Sequence, residues 1–368
     1  MTEAGALWSL LTEGVERGVF GGVAAIVREG GATLFEGQAG FARLEPETDR
    51  SPAGPETLWD LASLTKPLAG AALVLALADE RLLSLDDEVS RFDDLWKRTR
   101  FEGVTLRRLL SHTAGLVDWF PLYVRGEGRA AYRRALANLD PAAIPGRRVV
   151  YSCPGFLLLS DVVERAAGSG LDVMFRERVS RPLGVSGEVL FSPAGDDLRR
   201  VAGGERDDAS ERQKVEKLGL TYGGFRQGVV NGEVNDGNAF RRAGGVALNA
   251  GLFGTAGAVA SLAEAWLERD PRLLAGRWVE EAIRCGTDGL GEDRGLGWAL
   301  ARTVRSAGTA LSPEAFGHTG FTGSSLFVDP RSRRIYVLLA SRLHPEARSA
   351  EEMIAFRRRF HELAAALA

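Results

Sequence analysis

The stretch "LWDLASLTKPLAGAALVLAL", Leu58 to Leu77, places a lysine at the entrance of an almost wholly apolar run. Ser63 stands three residues before Lys66, and Pro67 follows directly. Proline has no N–H, and its ring crowds the carbonyl four residues back, so Pro67 belongs in or near the first turn of a helix. The helix therefore starts close to Ser63. Residues three apart share a helix face, which lets Ser63 and Lys66 touch. At that position the Ser63 N–H has no intrahelical acceptor and can meet an anion, with the helix dipole in support. A serine hydroxyl needs an activating base, and an ordinary lysine, with pKa about 10.4, is protonated at neutral pH. Burial against Leu61, Leu68 and Ala69 is expected to lower that pKa by favouring the neutral amine. An N-cap serine followed by a snorkelling lysine would give the same four letters, so the rest of the chain has to decide.

The 368 residues fit a large single fold or two intimate subdomains. With 45% hydrophobic and 26% charged residues the composition is that of a globular protein. A net charge of -3 gives no electrostatic footprint for nucleic acid or an anionic membrane. The run Arg357–Arg359 reads as a solvated helix face. Two isolated cysteines, Cys153 and Cys285, make neither a disulfide framework nor a zinc site. The N-terminal "MTEAGALWSLLTEGVERG" carries acids and reads as an amphipathic helix, not a signal peptide. The apolar run after Lys66 ends at Asp79-Glu80, short of the ~20 residues that span a bilayer. The expectation is a cytoplasmic protein with no membrane span, no nucleic-acid partner, no cofactor and a small-molecule substrate. Oligomeric state is not legible.

"GGVAAIVREGGATLFEGQAGFA" alternates apolar and polar residues around Glu29-Gly30-Gly31, a hairpin signal. A second hairpin is expected where "SSLFVDPRSRRIYVLLAS" turns at Asp329-Pro330-Arg331-Ser332, followed by a helix from about Ala347 to Ala366. Between them the patterns are mostly helical. "TLRRLLSHTAGL" is expected to stay helical to Gly115, and "FLLLSDVVERAAG" to Gly168. Residues 192 to 245 are irregular, which marks a functional or mobile surface. The expected fold is α/β (α+β). Both chain ends, 1–66 and 300–368, form one antiparallel sheet flanked by helices, and 67–299 form a mainly helical insertion. The cleft between them is the expected site.

S-x-x-K is the nucleophile motif of β-lactamases and penicillin-binding proteins. From Leu58 to Asp329 the chain resembles the serine β-lactamase superfamily, in its class C β-lactamase, DD-peptidase and family VIII esterase branch. The segments that carry the likeness are "LASLTKPLAGAALVLALADERLLSLDDEVSRF", "TLRRLLSHTAGL", "PGRRVVYSCPGFLLLSDVVERAAG", "RPLGV" and "AFGHTGFTGSSLFVDP". The resemblance implies Ser63 as the acylated nucleophile, Lys66 as its partner and Tyr151 as a proton carrier. It implies His318-Thr319-Gly320 as the third motif, and Phe321 as the second oxyanion N–H alongside Ser63. No P-loop, dinucleotide fingerprint or G-x-S-x-G elbow competes with it.

Three departures bear on substrate. Cys153 stands where the second motif has asparagine, and a thiol donates and accepts weakly. His318 replaces lysine, leaving a donor for a substrate carboxylate that is charged only if protonated. In "GEVNDGNAFRRAGGVALNAGLFGTAGAVASL" Asn235 and Asn249 replace two histidines, as if two linked contacts had changed together. His112 reads as structural, and His344 and His361 as surface residues. The expected activity is a serine hydrolase of small esters or amides. A β-lactamase or D-alanyl peptidase is the same-class alternative. A non-catalytic ligand-binding or sensor protein on the same fold is the alternative of another class.

Overall fold

The computed structural model describes residues 2–368. Its strands are β1 (Gly22–Glu29), β2 (Ala32–Arg43), β3 (Ser51–Pro52), β4 (Trp59–Asp60), β5 (Val189–Phe191), β6 (Leu252–Gly254), β7 (Ala299–Leu300), β8 (Phe316–Thr319), β9 (Ser325–Asp329) and β10 (Arg334–Ala340). Seven of them form one sheet in the order β3-β2-β1-β10-β9-β8-β7. The two ends of the chain meet at its centre, where Val23 lies opposite Ala340 and Ile26 opposite Val337 in antiparallel register. Both expected hairpins form. Gly30 and Gly31, with φ of 55° and 88°, make the tight turn between β1 and β2, a turn that requires two left-handed residues.

Helices cover both faces of this sheet, and the side-chain alternation shows it. Val23, Ala25, Val27, Tyr336 and Leu338 face the terminal helices Glu3–Glu16 and Ala350–Ala365. Ala24, Ile26, Ile335, Val337 and Leu339 face the larger core shared with the central helices. A strand buried on both faces reads as a continuous apolar run, which is why "VAAIV" and "IYVLLA" lack a polar face. The segment Ala62–Asp79 is apolar over 18 residues and 89% of it is buried within the protein, so its apolarity is that of a core helix.

Several local expectations are corrected. "TLRRLL" is helical only from Leu106 to Leu110, because His112 takes a left-handed φ of 58° and turns the chain. The helix over "FLLLSDVVERAA" runs Cys153–Ala167 and ends on Gly168 in the left-handed conformation, as expected. His344 and His361 are fully buried rather than exposed. Arg357 is also buried, whereas Arg358 and Arg359 are exposed. The middle of the chain also carries an unforeseen second sheet, β4-β6-β5. Its strands span two or three residues each, too short for a period-2 pattern to register.

That small sheet sets up the site. β6 pairs with β4, three residues before Ser63, with Asp60 opposite Phe253. The turn into β6 depends on Gly251, whose φ is 128° and whose added Cβ would lie 1.9 Å from the Gly245 carbonyl oxygen. Gly251→Ala is expected to lower stability by ~2–4 kcal/mol through backbone strain and overpacking. Urea unfolding of the variant checks this, and a loss below about 0.5 kcal/mol, the scale of a neutral surface change, would count against it.

Candidate active site

Ser63 is held by a strained approach. Ala62 has φ 47° despite its Cβ, and its N–H donates to the Asp60 carboxylate at 2.8 Å. Asp60 also accepts from the Asn235 backbone N–H and the Asn235 side-chain amide, each at 2.8 Å. Burial pushes the Asp60 pKa up, and the Asn235 and Ala62 donors oppose it. Behind Ser63 the chain runs through a short 3-10 turn and then a π-helical turn, Lys66–Ala71, before the α-helix Ala72–Asp79. Pro67 explains the wide turn: it has no N–H to give and its ring would crowd the Ser63 carbonyl.

Three polar atoms converge. Lys66 Nζ lies 2.9 Å from Ser63 Oγ, and Tyr151 Oη lies 2.8 Å from the same oxygen. Lys66 is completely buried. Its ammonium donates to the Asn249 carbonyl at 2.7 Å and sits 3.6 Å from Cys153 Sγ. It also lies 5.0 Å from the Tyr151 ring centre. The expectation of a lowered lysine pKa is corrected. Burial does pull Lys66 down, but the Cys153 sulfur and Tyr151 oxygen outweigh it, and its pKa stands above the ordinary value. Burial pushes both Tyr151 and Cys153 up, partly offset by Lys66.

The third motif closes the other side. β8 ends at Thr319 and a tight turn brings Gly320 against Leu61 and Ala62. A Cβ on Gly320 would sit 3.0 Å from the Leu61 carbonyl oxygen. Thr322 Oγ1 donates to the Asp60 carbonyl at 2.9 Å, tying the turn to the Ser63 segment. The Phe321 N–H takes no part in the turn's backbone bonding among the described residues, while the Phe321 carbonyl accepts from Arg342 Nε and Nη2 at 3.1 and 2.9 Å. Arg357 donates to the carbonyls of Gly320, Gly323 and Ser324 at 2.8–3.0 Å. Its burial lowers its pKa to about 9.

His318 does not offer the donor expected of it. Its Nδ1 faces the Thr319 carbonyl at 2.9 Å, and a carbonyl only accepts, so the ring's proton is committed there. Burial and the Arg294 charge hold its pKa well below the usual histidine value. His112, as expected, is structural. Its Nδ1 accepts from the Ser152 N–H at 3.0 Å and its ring packs against Tyr151 at a tilt of 42°, with centroids 4.6 Å apart.

Two cavities open onto Ser63, Tyr151 and Phe321. One, of about 350 Å³, is lined by His318, Thr319, Gly320, Arg294, Met353 and Ile354. The other, of about 210 Å³, is lined by Cys153, Trp119, Asn235, Glu205, Glu211 and Lys214. Glu205, Glu211 and Lys214 belong to the stretch the sequence left irregular, which contains the helix Ala209–Lys217. Sequence reasoning missed Arg294 and this helix. Neither lies in a motif, and only their position in space brings them to Ser63.

A Beta-lactamase family model matches residues 8–357 of this sequence. The chain belongs to the Beta-lactamase family. It is a serine hydrolase of that family, and the likeness extends to whole proteins. A putative D-alanyl-D-alanine carboxypeptidase of Escherichia coli K12 is 30% identical over 310 residues, which cover 78% of this chain and 70% of that protein. The N-acetylmuramyl-L-alanine amidase of Bacillus subtilis 168 is 25% identical over 358 residues, 90% of this chain and 80% of the relative. Among solved structures, EstCE1, a hydrolase with promiscuous acyltransferase activity, superposes with a TM-score of 0.74. It does so at 20% identity over 98% of both chains, a likeness of fold. Within the family frame, Asn235 and Asn249 both serve the Ser63 segment. Asn235 grips Asp60, and Asn249 lends Lys66 its carbonyl.

Glu211 gives the second cavity a pH signature. Burial raises its pKa to about 7, with Asp236 adding to it, although the Tyr123 hydroxyl and Gly237 N–H both donate to it at 2.7 Å. A carboxyl whose folded pKa is raised binds its proton more tightly when folded. Its stabilising contribution is full below the unfolded value near 4.5 and is lost as pH rises through about 7. The loss is on the order of 3 kcal/mol. Denaturant unfolding of the parent and of Glu211→Gln at pH 5 and pH 8 checks it. The difference in stability between the two proteins is expected to shift in favour of the variant at pH 8. An unchanged difference would refute the assignment.

Proposed function

We propose that Ser63 is the nucleophile of an acyl-transfer hydrolase that cleaves small esters or amides through a covalent acyl-enzyme. The observation that carries this is the convergence of Lys66 Nζ and Tyr151 Oη on Ser63 Oγ at 2.9 and 2.8 Å, within the reach a nucleophile and its proton acceptor need. Ser63 Oγ attacks the carbonyl carbon, its proton passes into the Lys66–Tyr151 pair, and the same pair returns a proton to the leaving oxygen or nitrogen. Water then repeats the sequence on the acyl-enzyme. The Ser63 and Phe321 N–H groups are assigned to the developing oxyanion, where two preorganised donors are a large catalytic contribution.

Esters are favoured over β-lactams and peptides by two substitutions. Cys153 offers a thiol where an asparagine amide would both donate to and accept from a substrate amide. His318 is neutral, so the third motif brings no cation of its own. The D-alanyl peptidase reading is supported by the carboxypeptidase-like relative. The reading as a binding protein without turnover is opposed by the intact contact among Ser63, Lys66 and Tyr151.

The raised pKa values of Lys66 and Tyr151 set the pH dependence. The pair must lose one proton before it can accept that of Ser63, so kcat/KM for a neutral ester is expected to climb from neutral into alkaline pH. The apparent pKa belongs to the pair. A flat profile from pH 6 to 9 would sink this account. Lys66→Met is expected to lower kcat roughly 10²–10⁴-fold.

A fluorescent phosphonate is expected to label the parent once, by intact mass, and to leave Ser63→Ala unlabelled. Absence of labelling would remove the nucleophile. With fluorescent penicillin, Cys153→Asn is expected to acylate roughly tenfold faster than the parent, the worth of about one added hydrogen bond. A persistent penicillin adduct on the parent would instead support the peptidase or binding reading.

A further inference from the structure

The N–H of Phe321, assigned to the developing oxyanion, and the carbonyl of Gly320 are the two ends of one planar amide. That carbonyl is held by a charged donor. Arg357 Nη2 donates to it at 2.8 Å and to the Ser324 carbonyl at 2.9 Å, while Arg357 Nε donates to the Gly323 carbonyl at 3.0 Å. The Gly323 N–H adds a longer bond to the Gly320 carbonyl, at 3.2 Å. Arg357 reaches this turn from the C-terminal helix Ala350–Ala365. With Met353 and Ile354 of the same helix it also lines the cavity that contains Ser63.

A hydrogen bond to the oxygen of an amide does two things to its N–H. It fixes the plane, and so the direction in which the N–H points. It also draws electron density from the nitrogen, which makes the N–H a stronger donor. A charged donor does this more than a neutral one. The rest of the site lacks the same device. The Ala62 carbonyl, at the far end of the Ser63 N–H amide, accepts from the backbone N–H of Thr65. Arg342 donates to the Phe321 carbonyl, which belongs to the next amide along, with the N–H of Thr322. The charge of Arg357 also lacks a counter-ion. Arg357 is buried, no carboxylate pairs with it among the described residues, and the charge that acts on it is another cation, Arg342. A buried cation in that state costs stability. An oxyanion forming at the Phe321 N–H supplies a counter-charge in the transition state that the ground state does not, and only such a differential interaction lowers a barrier.

We propose that Arg357 is a positioning residue of the acyl-transfer step: through the Gly320 carbonyl it orients and polarises the amide whose N–H, on Phe321, receives the oxyanion. This role rests on the reading of Ser63 as nucleophile. In the step itself the Ser63 Oγ–carbon bond forms, the carbonyl π pair becomes the oxyanion's, and the Ser63 proton passes into the Lys66–Tyr151 pair. Arg357 exchanges no proton and touches no substrate atom.

The test compares two ketones on the full chain. A serine adds reversibly to an aryl trifluoromethyl ketone and leaves an oxyanion in place. The matching aryl methyl ketone resists addition and reports ground-state binding alone. All values are expressed per site titrated by the fluorescent phosphonate, so misfolded protein does not count. Arg357→Gln is expected to weaken the trifluoromethyl ketone, and to lower kcat for a neutral aryl ester, by at least about tenfold, part of the cost of losing one oxyanion donor. Methyl ketone binding and KM are expected to move by less than about twofold, the mark of an interaction made only in the transition state. Arg357→Lys keeps the charge but not the fork, and is expected to fall between the parent and Arg357→Gln. Arg342→Gln, which frees the neighbouring amide, is expected to weaken the trifluoromethyl ketone severalfold less than Arg357→Gln. Parent-like trifluoromethyl ketone binding in Arg357→Gln overturns the role, as does an equal loss for both ketones or an equal loss in Arg342→Gln. If Arg357→Gln yields no titratable sites, parent-like binding in Arg357→Lys overturns it. A parent that binds the two ketones alike and takes no phosphonate removes the nucleophile reading, and the role of Arg357 with it. A parent that prefers the trifluoromethyl ketone, with the preference lost in Ser63→Ala, keeps that reading even where the Arg357 variants refute the positioning role.

Discussion

The whole arrangement depends on one fully buried ammonium. Lys66 is fully buried, so its charge has to be met by fixed protein atoms, since an unpaired buried charge is far too costly to keep. The protein supplies the Asn249 carbonyl, the Ser63 hydroxyl and the Cys153 sulfur, with the faces of Tyr151 and Phe156 beyond them. Each supplier comes from a different part of the chain, and each imposes a local constraint. The carbonyl requires the sharp turn at Gly251. The hydroxyl requires the strained Ala62. The sulfur sits at the first residue of the helix Cys153–Ala167. The small β4-β6-β5 sheet is the frame that joins the first two.

A second clamp works on the third motif. The Gly320 carbonyl accepts from the Gly323 N–H within the turn, and two buried arginines add donors to the carbonyls of Gly320, Phe321, Gly323 and Ser324. Arg357 comes from the C-terminal helix, so the element that covers one face of the main sheet also fixes the oxyanion turn. This is why Arg357 is buried although its neighbours in the same basic triplet are solvated. A guanidinium can bridge three carbonyls from one fixed plane, which a lysine cannot. The cost of its burial shows in its lowered pKa.

What was legible in the sequence followed from patterns with a strict period or a strict steric rule. The apolar runs of β1 and β10, the Gly30-Gly31 turn and the Gly168 cap all depend on local chemistry, and local chemistry is written in adjacent residues. Pro67 told where the Ser63 helix begins for the same reason. The sign of the Lys66 pKa shift was not legible, because it depends on Cys153 and Tyr151, some ninety positions away. The tautomer of His318 was equally hidden. It is set by the direction of the Thr319 carbonyl, and no residue identity encodes that. Arg294 lies outside every recognisable motif, and the strands β5 and β6 are shorter than any periodic signal. His344 and His361 were misjudged because histidine is intermediate in burial and no local pattern places it, yet each donates to or accepts from a backbone group inside the core.

Broken local rules occur in several places, among them Arg81, Arg98, Arg269 and Arg333 with left-handed backbones and Arg28, Arg43 and Arg348 with unpartnered buried nitrogens, and several of them meet around Ser63. The scaffold far from Ser63 has apolar faces turned inward, and the terminal helices are capped by Thr2 and Ser349. Around Ser63 sit a left-handed alanine, a buried lysine, an asparagine whose side-chain amide has no partner, an acceptor nitrogen on His318 without a donor, and the unpaired edge of Arg294. Each of these costs stability that a better-packed side chain would recover, and proteins keep such costs where function needs them. The orphaned groups also differ in kind. The Asn249 amide is sealed away from both cavities, and its backbone carbonyl already serves Lys66, so its side chain is a consequence of that placement. His318 and Arg294 line the cavity that contains Ser63, while the unpaired Nε2 of His318 and the unpaired Nε and Nη1 of Arg294 are themselves buried in its wall, so their cost is built into the packing that shapes the site.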